Sequence, residues 1–231
     1  MNTVDITSAI ETSERCVEAY KSLRTNIQFF GTEVKVIGIT STVPNEGKST
    51  VSINLAKELA QNGKEVLFID CDLRGTVVLK TISSKGKLNG LTNFLVGQCQ
   101  LKDIVFNTNY KNLDMVFTGP LPPNPAELQG SKQFKKMIDY LSEIYDYIII
   151  DTAPLGVVID AAVVSKCCDG MVIVVEHDSI SYKHINKVKH QLEVADSKIL
   201  GVVLNKIPLV GSNSAYGRYY GRNYSKYYSG E

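Results

Sequence analysis

Residues 66 to 74 read Val-Leu-Phe-Ile-Asp-Cys-Asp-Leu-Arg. Four apolar residues followed by Asp-x-Asp describe a strand buried on both faces that delivers two carboxylates at its end. If strand geometry persists past the apolar run, Asp70 and Asp72 point to the same side. Paired carboxylates in that position suit a divalent cation, a general base, or both. Alone, the run fits an ordinary acidic turn equally well; its neighbours decide.

One neighbour is Ser41-Thr-Val-Pro-Asn-Glu-Gly-Lys-Ser-Thr50, placed where a strand turns into a helix. A phosphate needs inward backbone N–H groups, a helix N-terminus behind them and a cation in front. Residues Asn45, Glu46, Gly47, Lys48, Ser49 and Thr50 are the candidates for that cradle. Gly47 allows close backbone approach, Lys48 reaches the β- and γ-phosphates, and the Ser49 hydroxyl ligates Mg²⁺. The strict G-x-x-x-x-G-K-[ST] pattern is broken, because Thr42 stands at the first glycine position.

The third element is Ile148-Ile-Ile-Asp-Thr-Ala-Pro154, again an apolar strand ending in an aspartate, Asp151. In P-loop enzymes such an aspartate holds the magnesium shell. The three elements together imply ATP as substrate and Mg²⁺ as its metal. Lys48, Asp70 and Asp72 are the candidate catalytic residues, and Ser49, Asp72 and Asp151 the candidate metal residues. Asn205-Lys206 closes the last strand, as a plain terminus or against an adenine edge.

The elements that must position these groups alternate in kind. Apolar runs at 34–41, 65–70, 113–118, 147–151, 170–175 and 199–205 read as strands, and 49–62, 131–144, 158–168 and 181–195 as helices. Phe134, Met137, Ile138 and Leu141 share one helical stripe. A first helix runs from after Ser13 to Phe30, closed by Gly31. Residues 76–90, rich in Lys, Ser and Gly, read as a mobile loop. This order predicts an α/β fold of the P-loop NTPase type, a doubly wound, mostly parallel sheet flanked by helices. It divides into an N-terminal helix at 1–31, a P-loop domain at 32–206 and a flexible tail at 207–231.

Composition excludes several classes. The net charge of +1 favours neither nucleic acid nor an anionic membrane surface. No apolar run approaches the roughly 18 residues of a membrane span, and no signal peptide is visible. Five cysteines without metal-ligand spacing read as reduced thiols. Half of the 12 tyrosines crowd the last 16 residues: Tyr216, Tyr219, Tyr220, Tyr224, Tyr227 and Tyr228. On composition alone that tail is a sticky aromatic segment or a base-stacking one.

The trio resembles the Walker A, Walker A′ and Walker B elements of the bacterial tyrosine kinases, at 41–50, 66–74 and 148–154. Glu18-Ala-Tyr-Lys-Ser-Leu-Arg-Thr-Asn-Ile27 is similar to that family's Glu-x-x-Arg-x-x-Arg subunit-contact helix, and Gly119-Pro-Leu-Pro-Pro-Asn-Pro-Ala-Glu-Leu128 to its proline-rich loop. The resemblance is strongest to the cytoplasmic kinases of Gram-positive, streptococcal-type capsule and exopolysaccharide systems. Two positions depart from the family pattern. Asn45 replaces a glycine, and Asn tolerates a left-handed backbone. Lys21 replaces an arginine and loses bidentate pairing.

The resemblance implies a protein-tyrosine autokinase that phosphorylates its own tail tyrosines between subunits and so regulates polysaccharide synthesis. It implies Glu18, Lys21 and Arg24 as contacts of a homo-oligomer, and a cognate tyrosine phosphatase. It also implies a cytoplasmic protein recruited to the membrane's inner face by a membrane-anchored activator of the polysaccharide co-polymerase type. Asp70 then faces the acceptor tyrosine and Asp72 the metal, with Arg74 beside a phosphate or a subunit contact. Two other readings remain open. One is a switch ATPase of the septum-placement or partition kind, although Val43 stands where those carry a lysine. The other is a nucleotide-dependent assembly module without catalysis.

Overall fold

The computed structural model describes residues 2–6, 14–75, 78, 82–83 and 88–208. In chain order it forms β1 (Asn2–Ile6), α1 (Glu14–Gln28), β2 (Val36–Ser41), α2 (Lys48–Gln61), β3 (Val66–Asp70), β4 (Ile82–Ser83) and α3 (Leu91–Leu95). There follow β5 (Val105–Thr108), β6 (Leu113–Val116), α4 (Pro125–Gln129), α5 (Lys132–Ser142), β7 (Tyr147–Asp151), α6 (Asp160–Val164), β8 (Gly170–Glu176), α7 (Tyr182–Val194) and β9 (Ile199–Asn205). Among the described residues the strands join one sheet in the order β4-β1-β5-β6-β3-β7-β2-β8-β9.

From β6 to β9 every neighbouring pair is parallel. The Val, Ile and Phe runs of β2, β3 and β7 are buried throughout, as strands covered on both faces must be. Period two divides their side chains. Val66 and Phe68 join Leu55 and Leu59 of α2 on one face. Leu67 and Ile69 join Phe134, Met137, Ile138 and Leu141 of α5 on the other, so the predicted stripe is the buried one. The Ser131 hydroxyl caps α5 by accepting from the Phe134 N–H at 3.2 Å.

The six expected strands and the doubly wound, mostly parallel sheet are all present. Three more strands, β1, β4 and β5, extend the sheet beyond β6. β1 is parallel to β5, whereas β5–β6 and β1–β4 are antiparallel. Within β1, Val4 and Ile6 are buried while Thr3 and Asp5 face solvent, an alternation too short to stand out in sequence. Of the span 76–90 read as a mobile loop, Val78 is buried in the core and β4 pairs with β1. The helix expected over 158–168 is split: α6 ends at Val164 and a 3-10 turn occupies Ser165–Cys167.

At the foot of the sheet the Tyr145 hydroxyl donates to Asp114 Oδ2 at 2.7 Å. Burial first, then that hydrogen bond, raises the phenol's pKa well above its usual value. In the unfolded chain it ionises near pH 10. A raised folded-state value means its contribution to stability is complete below about pH 10 and is lost as pH climbs toward the folded value. Tyr145→Phe is therefore expected to flatten the alkaline limb of stability, with the wild-type advantage full up to about pH 10 and shrinking between about pH 10 and 12 in urea titrations. An advantage that stays constant across that range would contradict the assignment.

Candidate active site

Parallel topology brings the C-terminal ends of β2, β3 and β7 side by side, where open α/β sheets hold their ligands. The loop leaving β2 turns through two left-handed residues, Asn45 at φ 68° and Gly47 at φ 87°. The asparagine does what was expected of it. Gly47 has two reasons to lack a side chain, since a Cβ there would also lie 2.2 Å from Asn205 Nδ2.

Glu46 turns into the protein. Its Oε2 accepts from the Thr42 N–H at 2.6 Å, the Thr42 hydroxyl at 2.8 Å and the Val43 N–H at 2.9 Å. Its Oε1 accepts from the Glu176 N–H of β8 at 3.2 Å. Thr42, at the missing first glycine, thus gives the loop an internal brace. Asn205 Nδ2 donates to the Glu46 carbonyl at 2.9 Å, and Lys206 Nζ reaches the Asn45 carbonyl and, at 3.1 Å, Glu176 Oε2. In this structure the Asn205 side chain supports the loop from β9.

Asp70 and Asp151 are register partners and, like Asp72, are buried. β3 stops at Asp70, so strand geometry does not carry on to Asp72. The chain turns instead, with the Asp72 N–H donating to Asp70 Oδ1 at 3.3 Å. Lys48 Nζ then sits 3.1 Å from Asp72 Oδ2, 3.5 Å from Asp151 Oδ2 and 3.3 Å from Ser49 Oγ. Burial is the largest single influence on Lys48 and favours losing its proton. Asp151, Asp72 and Asp70 together outweigh it, so its pKa is raised and the ammonium stays charged. Burial likewise lifts the Asp151 carboxyl, opposed by Lys48 and by hydroxyls of Ser49 and Ser52.

The donor set fits a magnesium nucleotide. Three buried carboxylates face one ammonium, an excess of negative charge that suits a divalent cation. Hard oxygens come from Ser49, Asp72 and Asp151. Among the described residues no group of three or more His, Cys, Asp or Glu forms a metal cage, and Mg²⁺ characteristically keeps waters and substrate phosphates in its shell. The first turn of α2 has no acidic residue and its N-cap, Gly47, makes no side-chain cap, which leaves its N–H groups suited to an anion. Thr50 is exposed in that turn.

Sequence reasoning missed three supports. Ser52 donates to Asp151 Oδ1 at 3.2 Å; it lies one helical turn after Lys48, a spacing that would have revealed it. Gln129 of α4 donates to the Cys71 carbonyl at 2.8 Å. Arg74 forks Asp160 with Nε and Nη2 at 2.8 and 2.9 Å. On α1, Lys21 Nζ pairs with Glu18 Oε1 at 2.6 Å, and Arg24 Nη1 approaches Glu58 Oε2 of α2 at 3.7 Å. The six tail tyrosines lie outside the described residues.

A doubly wound sheet whose P-loop lysine meets two acidic strand ends defines a P-loop nucleotide-binding protein. Residues 34–200 match the family model described as an AAA domain. The tyrosine-protein kinase CpsD of Streptococcus agalactiae is 43% identical over 215 residues, spanning 93% of this chain and 94% of that protein. The kinase domain of the Escherichia coli tyrosine kinase ETK is 27% identical with a TM-score of 0.80, covering 92% of each chain. Septum site-determining MinD of Pyrococcus horikoshii, solved with Mg-ADP, is more distant: TM-score 0.60 at 25% identity, covering 74% of this chain and 69% of that one. The chain belongs to the bacterial tyrosine kinases.

Gly47→Ala is expected to weaken ATP binding at least about tenfold, since it strains the backbone and drives a methyl into Asn205. Adding Asn205→Ala should recover only part of the loss, because the left-handed φ remains. Fluorescent-nucleotide titration reads both; wild-type affinity in Gly47→Ala would refute the loop geometry.

Proposed function

We propose that this chain is an ATP-dependent autokinase that phosphorylates Tyr216, Tyr219, Tyr220, Tyr224, Tyr227 and Tyr228, between subunits of a homo-oligomer. The observation that carries the proposal is the placing of two separate carboxylates at the end of β3. Asp72 touches Lys48, while Asp70 lies buried against Asp151. A phosphate-releasing switch has no need of a carboxylate assigned to an incoming phenol.

In this reading the 45–50 backbone and Lys48 hold the ATP phosphates, and Lys48 answers the charge that develops on the transferred group. Ser49, Asp72 and Asp151 would hold Mg²⁺, directly or through water. Mg²⁺ would supply neutralisation of the phosphate oxygens. Asp70 takes the phenol proton as the new O–P bond forms and the bond to the ADP oxygen breaks. Phenols have pKa near 10, so at neutral pH the proton leaves during attack rather than before it. Asn205 and Glu46 act by holding the loop that these steps use.

Six phosphates would add roughly −9 to −12 charges to a tail whose Arg218, Arg222 and Lys226 make it basic at the start. That reversal suits a switch in assembly, and through it in capsule or exopolysaccharide synthesis, the setting in which the kinase family is known. Among the described residues no helix is long and apolar enough to cross a membrane. By its resemblance to the capsule kinases, the chain is recruited in this reading by the cytoplasmic end of a membrane-anchored activator. Reversal is assigned to a tyrosine phosphatase, and subunit contact to the Glu18, Lys21 and Arg24 face of α1.

Lys48→Met should lower tail phosphorylation by about 10²- to 10³-fold, as loss of one preorganised charge at a developing anion does. Mass spectrometry of purified protein incubated with ATP and Mg²⁺ measures it. Persistent phosphotyrosine in Lys48→Met, or modification confined to tyrosines outside 216–228, would overturn the assignment.

A further inference from the structure

Arg74 follows the acidic pair and invites the reading of a phosphate or subunit contact. The structure assigns it another role: Arg74, clamped by Asp160, is a positioning residue that holds the Asp72 turn at its working distance from Asp151 and Lys48.

Asp72 lies beyond the last residue of β3, so no strand ladder fixes it. Ties from three directions hold its turn instead. The Cys71 N–H donates to the Asp151 carbonyl at 2.8 Å. The Cys71 carbonyl accepts from Gln129 Nε2 at 2.8 Å. Beyond Asp72, the Arg74 guanidinium reaches Asp160, the first residue of α6, through two parallel N–H···O bonds. The Asp160 side chain is fully buried, whereas that of Arg74 is 44% exposed. A buried carboxylate paired bidentately fixes its partner in direction as well as distance.

The local chain translates that clamp directly onto the carboxylate. Arg74 donates its own backbone N–H to Asp72 Oδ1 at 3.3 Å, while Asp72 Oδ2 faces Lys48. Asp160 lies on the segment that follows β7, the strand ending in Asp151. The pair thus joins the two strand ends whose carboxylates flank Lys48, at a second point outside the sheet ladder. Losing it leaves the Asp72 turn held by the two ties at Cys71 and the core packing of Leu73, with no side-chain tie to the segment after β7. A lysine cannot replace it, because a single ammonium lacks the fork.

This inference rests on the reading that Asp72 faces the magnesium of bound ATP, and the experiment separates the two. Arg74→Ala, Asp160→Asn, their double variant and Arg74→Lys are compared in the full chain. Nucleotide affinity is measured by fluorescence titration with and without Mg²⁺, and tyrosine transfer by single-turnover kinetics. Expected for Arg74→Ala is a transfer rate lower by about 10- to 100-fold, the scale of a misplaced reacting group. Its Mg²⁺-free affinity should stay within about twofold of wild type, while the gain in affinity on adding Mg²⁺ shrinks. Asp160→Asn should do the same, the double variant should be no worse than either, and Arg74→Lys should recover only part of the rate. If Arg74→Ala precipitates, the Arg74→Lys and Asp160→Asn arms carry the same comparison.

Arg74 is instead a phosphate contact if its loss weakens Mg²⁺-free binding tenfold or more. Multiplying losses in the double variant, or full activity in Arg74→Lys, would equally overturn the clamp. Failure of the underlying reading looks different: wild type itself would transfer no phosphate to tyrosine, or would gain no affinity from Mg²⁺.

Discussion

The site converges on one largely buried cation. Lys48 Nζ stands 3.1 Å from Asp72 and 3.5 Å from Asp151, with Asp70 near enough to raise its pKa further. Burial alone would favour loss of the ammonium's proton; the carboxylates around it reverse that preference. They do so only while the geometry holds, because removing a partner leaves an uncompensated charge in low dielectric. The sheet supplies that geometry. β3, β7 and β2 are consecutive neighbours, so both acidic strand ends and the loop before α2 arrive on one edge. The same packing that hides the apolar runs fixes the charges at their ends.

Side chains brace the loop around the lysine. A P-loop with glycine at its first position relies on backbone alone there, whereas Thr42 adds a hydroxyl that Glu46 collects along with two N–H groups. Glu176 and Asn205 extend the brace to β8 and β9. An imperfect match to the consensus is therefore compatible with a rigid cradle. What the consensus encodes as glycine, this chain achieves with a left-handed asparagine and an internal carboxylate.

Much of the fold and of the site could be read from local pattern. Apolar runs broken by Asp70 and Asp151 announced both strand ends, and Gly-Lys-Ser before a helical stretch announced the loop. The stripe Phe134, Met137, Ile138 and Leu141 located α5 and its buried face. What stayed hidden depends on distance along the chain. The Arg74–Asp160 fork spans 86 residues, the Gln129–Cys71 bond 58, and the Asn205–Glu46 bond 159. No periodicity marks such pairs. β1 and β5 escaped for a different reason, since four or five residues at the sheet's far side carry too few apolar positions to show their period.

Separate work for Asp70 and Asp72, as proposed above, would set a tyrosine kinase apart from a simple nucleotide switch on the same fold. Asp70→Ala tests that division most directly, with labelled ATP and Mg²⁺ supplied to the purified chain. The account predicts nucleotide affinity close to wild type and no label on tyrosine. Collapse of ATP affinity, or undiminished labelling of the tail, would contradict it.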